Sequence, residues 1–155
     1  MIVDLARWRI EFDSAATEDG YSRLRDGLAC DCADCRNFMA ASDVAFPASF
    51  RAIAGRLGID LDKPAELSHC CREPSGLHLS GGWFHFVGAI LSGADAWTAE
   101  GVNSWTQALE PLSEGFEFGF TARLSLVPPP FQGQSLVQLE FMTRVPWVIL
   151  DAETT

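Results

Sequence analysis

The chain has 155 residues, 48% of them hydrophobic and 21% charged, a balance that excludes a largely disordered protein and suits one domain over residues 1–155. Eleven basic against 21 acidic residues leave a net charge of -10, and no concentrated basic surface is in view for nucleic acid. No apolar run approaches the roughly 18 residues of a membrane span, and Asp4, Arg7 and Arg9 interrupt the stretch a signal peptide would need, so the expectation is a cytoplasmic protein with no membrane partner.

Residues 6–12 alternate, with Ala6, Trp8, Ile10 and Phe12 set against Arg7, Arg9 and Glu11, the period of a strand with one buried face. Asp19-Gly20 and Asp26-Gly27 are turn dipeptides flanking Tyr21 to Arg25, which predicts a short meander running into Leu28, Ala29 and Cys30. The period then changes. Cys35 to Ala41 reads as a helix with Asp31 or Asp34 as N-cap. A second helix is better marked: Pro47 in its first turn, Phe50, Ile53, Ala54 and Leu57 at helical spacing, and Gly58 to stop it. Asp60 and Asp62 read as solvating the turn that follows, since the remaining ligands of a calcium loop are missing.

Leu77 to Ser80, Gly81-Gly82 and Trp83 to Leu91 predict a hairpin around the two glycines. Ser92 to Glu114 reads as a long connection or a short helix. Phe116 to Leu126 predicts the best strand, ended by Pro128-Pro129-Pro130 because proline donates nothing to a ladder. Val137, Leu139 and Phe141 mark another strand, which Val145-Pro146-Trp147 bends or ends. The expected class is α+β: a mostly antiparallel sheet with two short helices after the N-terminal strands.

The cysteines carry the most specific spacing. Cys30, Cys32 and Cys35 form C-x-C-x-x-C, and Cys70 and Cys71 are adjacent. A disulfide framework fits poorly with five cysteines and a reducing compartment. Three thiols at this spacing, near a helix N-terminus that favours thiolates, suit a structural zinc ion. The assigned ligands are Cys30, Cys32, Cys35 and Cys71, with His69 and Cys70 as alternatives for the fourth position. The competing readings are packed free cysteines, or a Cys71 nucleophile activated by His69 and Arg72.

His85 shares a strand face with Trp83 and Val87, as a core histidine or as the floor of a pocket with Glu117 or Glu140. His78, bracketed by Leu77 and Leu79, reads as packing. Trp8, Trp83 and Trp147 read as core, whereas Trp97 and Trp105 lie in the polar segment, where an indole anchors a partner, closes a pocket or packs a loop. No phosphate-cradling glycine loop, H-E-x-x-H or G-x-S-x-G is present. The functional expectation is a binding or interaction domain with a structural zinc site and a protein or small-molecule partner. The alternatives are an acidic, immunity- or antitoxin-like binder of a basic protein, and a small-molecule enzyme around His85.

The C-x-C-x-x-C-x-N-F segment at Cys30 to Phe38, followed by Leu57-Gly58-Ile59-Asp60, Gly81-Gly82-Trp83-Phe84-His85-Phe86-Val87-Gly88 and Val145-Pro146-Trp147, resembles a family of small bacterial proteins. The resemblance runs from the first cysteine to near the C-terminus. It implies a shared fold and assigns no activity and no catalytic residue.

Overall fold

The computed structural model describes residues 1–27 and 30–155; the part of the predicted meander at Leu28 and Ala29 lies outside the described residues. The fold is α+β on a mostly antiparallel sheet, as expected, but with four α-helices among the described residues where two were predicted.

Strands β1 (Ile2–Leu5) and β2 (Trp8–Phe12) form a hairpin. Trp8, Ile10 and Phe12 are buried as the alternation requires, while Ala6 belongs to the turn, at φ 50°. Helix α1 (Ser14–Arg23) replaces the predicted meander. Asp13 caps it by accepting from the Ala16 amide, and the Thr17 hydroxyl donates to the Asp13 carbonyl at 2.8 Å. Gly20 is no turn residue: a Cβ there would lie 2.5 Å from the Phe131 ring, so glycine permits a close approach inside the helix.

Helices α2 (Ala33–Ala40), α3 (Ser42–Ala45) and α4 (Ala48–Leu57) follow. Cys32, rather than Asp31 or Asp34, occupies the N-cap of α2. Helix α4 matches its prediction, buries Phe50, Ile53, Ala54 and Leu57, and ends on Gly58 in the left-handed region at φ 81°.

Strand β3 (Glu66–Arg72) pairs with β4 (His78–Ser92), a single strand of 15 residues. The Gly81-Gly82 turn is therefore overturned: a Cβ on Gly82 would meet the Glu66 carbonyl oxygen, and one on Gly81 the Met142 sulfur. Those glycines let neighbouring strands approach. Strands β5 (Trp97–Ala99) and β6 (Trp105–Gln107) make a separate hairpin inside the segment read as a connection or helix. They are followed by β7 (Glu110–Ser113), β8 (Phe116–Thr121) and β9 (Leu136–Val145). Strand β8 stops at Thr121, short of the predicted Leu126, where Asp95 takes the Ala122 amide at 2.8 Å. The sheet order is β1-β2-β4-β9-β8-β7. Strands β3 and β2 lie end to end along one edge of β4, and α1 fills the gap: the Tyr21 hydroxyl donates to the His85 carbonyl and Thr17 accepts from the Val87 amide.

One sheet face carries Phe84, Phe116, Leu139 and Phe141 against Phe46 and Phe50 of the helical layer. Because side chains alternate along a strand, Trp83, His85, Gln138 and Glu140 point to the other face, where the β5–β6 hairpin meets them.

Candidate functional site

Two regions gather chemistry-bearing side chains: the head of α2, and the sheet face beneath the β5–β6 hairpin.

At the head of α2 the thiols of Cys30, Cys32 and Cys35 lie within 4.8 Å of one another and can hold a metal ion. Extended backbone at Cys32 brings its thiol beside the first turn of the helix, and Cys35 returns from inside that turn. The Cys35 amide, then the Cys30 thiol, lower the pKa of Cys32. Burial, then the thiols of Cys30 and Cys32, raise that of Cys35. The shifts favour the thiolate at Cys32 over Cys35, and a cation among the three thiols would draw off their protons. Helix α2 is fixed to the segment after β9 by the buried Asn37, which donates to the Pro146 carbonyl at 3.0 Å and accepts from the Val148 amide at 2.7 Å. Arg36 reaches Asp151 at 2.9 Å. The C-x-C-x-x-C-x-N-F and V-P-W segments are therefore spatial partners.

Cys70 and Cys71 are exposed on β3, and neither they nor His69 join the three-thiol group among the described residues. His69 faces α2 and shares a small cavity with Asp34 and Cys35. Its ring ends a relay: Glu153 lies 2.7 Å from His78 Nε2, and His78 Nδ1 lies 2.8 Å from His69 Nε2. Where Glu153 accepts from His78 Nε2–H and both rings carry one proton, His78 accepts at Nδ1 from His69 Nε2–H. In that tautomer the lone pair of the His69 ring lies on Nδ1. This nitrogen is 4.0 Å from Asp34 Oδ2, and Asp34 Oδ1 is itself buried without a hydrogen-bond partner among the described residues. His78, read from the sequence as packing, is 2% exposed and sets the tautomer of its neighbour.

On the other face, Trp83, Trp97 and Trp105 line a cleft of about 340 Å³ with Gln138 and Glu140. The Glu140 carboxylate accepts from Trp97 Nε1 at 2.6 Å, from Gln138 Nε2 at 2.8 Å and from Gln107 Nε2. Burial raises its pKa against the pull of those donors. Trp97 thus anchors the hairpin, Trp105 remains exposed, and Trp83, read as core, is half-buried as a wall. Trp147 is half-buried too and lies against the His78 ring. Arg123 and Glu140 complete the cleft. The strand assignment hid Arg123, but alternation does place Glu140 opposite Trp83.

His85 is 1% exposed and does not line the cleft. Its Nε2 contacts Gln138 Oε1 at 3.2 Å, and Gln138 passes the connection to Glu140. Its Nδ1 is buried without a partner among the described residues. Burial lowers its pKa, so between the lowered folded value and the unfolded value of about 6.5 the native state binds fewer protons. Stability contributed by neutral His85 is present above that unfolded value and is lost as pH falls below it. Thermal midpoints taken from pH 7.5 to 5.5 should therefore fall more in the wild type than in His85→Asn. Parallel curves would remove His85 as the source.

No family model matches the chain, and neither curated proteins nor solved structures give a match. No helix among the described residues is long and apolar enough to cross a membrane.

Proposed function

We propose that the chain is a binding protein whose N-terminal part is clamped by a structural zinc ion on Cys30, Cys32, Cys35 and His69. The observation that carries this reading is the convergence of three thiols at the head of α2, with the His69 ring sharing a cavity with Cys35 and its Nδ1 4.0 Å from Asp34 of the same helix. Tetrahedral Zn–S bonds of about 2.3 Å separate sulfurs by about 3.8 Å, so the three thiols contract by at most about an ångström, and His69 closes in from outside that group. Exposed Cys30 and Cys32 are free to make that movement. His69 replaces Cys71 as the fourth ligand because its ring faces α2 while Cys71 is exposed. Four protein ligands leave no open coordination position, which suits a clamp between α2 and β3 and supports binding over catalysis.

Protein purified without added metal or chelator should contain about one zinc per chain. Cys32→Ser and His69→Ala should lose it, and Cys71→Ser should keep it. Chelation should lower the thermal midpoint by roughly 10 °C, as about 3–4 kcal/mol of linked binding implies at about 2–4 °C per kcal/mol. Metal-free protein with all five thiols freely titratable, and Cys32→Ser melting with the wild type, would sink the clamp.

A further inference from the structure

The cleft beneath the β5–β6 hairpin contains a buried carboxylate surrounded by indoles. Glu140 is 5% exposed, and its partners are neutral N–H groups of Trp97, Gln107 and Gln138. Among the described residues it has no ion pair, while Asp95 adds repulsion that raises its pKa further. Negative charge in a low-dielectric cleft without an ion-pair partner is an electrostatic deficit that a positively charged occupant in contact with it offsets. The walls supply the other requirement, because indole faces attract cations through the ring quadrupole, most strongly for tryptophan.

The cleft already shows that preference. The Arg123 guanidinium lies 3.7 Å from the centroid of the Trp105 ring, and it forms no ion pair among the described residues. Arg123 is exposed on the segment between β8 and the proline turn, so this internal cation can swing away into water without disturbing a strand. A larger groove of about 640 Å³ lies beside α3, but its cation, Arg144, is already paired with Glu73 at 2.9 Å. The net charge of -10 adds a long-range field that draws cations and repels anions.

We infer that this cleft binds the ammonium group of a small organic cation, held by Trp83, Trp97 and Trp105 above Glu140, with Arg123 as its internal competitor. The inference rests on the reading of the chain as a binding protein and is independent of the zinc clamp. A substituted ammonium suits the site better than a metal ion. Its alkyl groups cover the indole faces, and a weakly hydrated cation loses less on leaving water.

The test is a titration followed by tryptophan fluorescence, comparing choline with its uncharged isostere 3,3-dimethylbutan-1-ol. Choline should bind in the millimolar range and at least about ten-fold tighter than the alcohol. Glu140→Gln, which keeps an acceptor for Trp97 but removes the charge, should weaken it by a similar factor. Trp105→Ala, at an exposed rim position, should also weaken it and keeps the test valid if Glu140→Gln fails to fold. Arg123→Ala should bind several-fold tighter, since it removes both the competitor and a like charge. Equal binding of choline and the alcohol, no binding of either, or loss of binding in Arg123→Ala would each overturn the inference. Zinc is measured on the same samples. A metal-free chain that binds choline sinks the clamp alone, and a zinc-loaded chain blind to choline sinks the cleft alone.

Discussion

Phe141→Ala should be among the most destabilising single substitutions in the molecule, at about 3–5 kcal/mol. Phe141 sits mid-strand in β9 and is 1% exposed. Its ring is 5.1 Å from that of Phe46, 5.8 Å from Phe38 and Phe84, and 6.1 Å from Phe116 in a nearly parallel stack. These neighbours come from α2, the α3–α4 junction, β4 and β8, so truncation opens one cavity that all those elements border. Their backbones are held by sheet and helix bonding, which prevents the site from collapsing to refill the space. Domains of this size are commonly stable by only about 5–15 kcal/mol. The loss should move the urea midpoint down by more than about 1 M, given slopes of about 1–3 kcal/mol per molar. Phe141→Leu, which keeps most of the volume, should lose less than half as much. A Phe141→Ala midpoint within about 0.3 M of the wild type would contradict the packing described for this layer.

The legible parts of the sequence are those where local chemistry and tertiary contact ask for the same thing. Helix α4 is the clearest case: Pro47, the apolar spacing of Phe50 to Leu57 and the left-handed Gly58 all point one way. The alternation of β9 and of the first half of the predicted Phe116 strand is equally plain, because each has one face against phenylalanine and one against polar groups. The failures cluster at glycine. Gly20, Gly81 and Gly82 were read as turn residues for their backbone freedom, yet each is needed for its missing side chain, with Phe131, Met142 and Glu66 pressing against it. That pressure comes from residues 16 to 111 positions away, and no local window contains it. The site shows the same division. The C-x-C-x-x-C spacing reported the thiol group because those ligands are local. His69 was only one of three alternatives, since the relay selecting it runs through His78 to Glu153 at the far end of the chain. Trp97 and Trp105 stood out as indoles in a polar segment. Their partner Glu140 enters the sequence reading as a pocket partner of His85, whereas the hairpin that covers it and the indole it holds come from tertiary contact.

The same substitution, glycine to alanine, should have opposite effects at two positions. At Gly55 an added Cβ meets nothing within 4 Å on an exposed face of α4. The alanine reduces the freedom of the unfolded chain without strain, and stability should rise by about 0.5–1 kcal/mol. At Gly82 the added methyl would lie about 1 Å inside the closest approach a Cβ makes, against the Glu66 carbonyl oxygen. Both atoms belong to or branch directly from paired backbones, so no side-chain rotation relieves the clash. The register pairs Leu67 with Gly82 and His69 with Ser80, so β3 has to move outward over the stretch that holds the buried Leu67 and presents His69 to α2. Gly82→Ala should therefore lower stability by about 1–3 kcal/mol and, because the fourth ligand moves with the strand, weaken zinc binding as well. Denaturant midpoints of the two variants, with zinc content read on the folded fraction, separate these effects. Gly82→Ala with lower stability but unchanged zinc would keep the strand argument and detach His69 from the metal. The coupling of strand position to metal retention is what distinguishes a ligand on β3 from a thiol cluster that closes on its own.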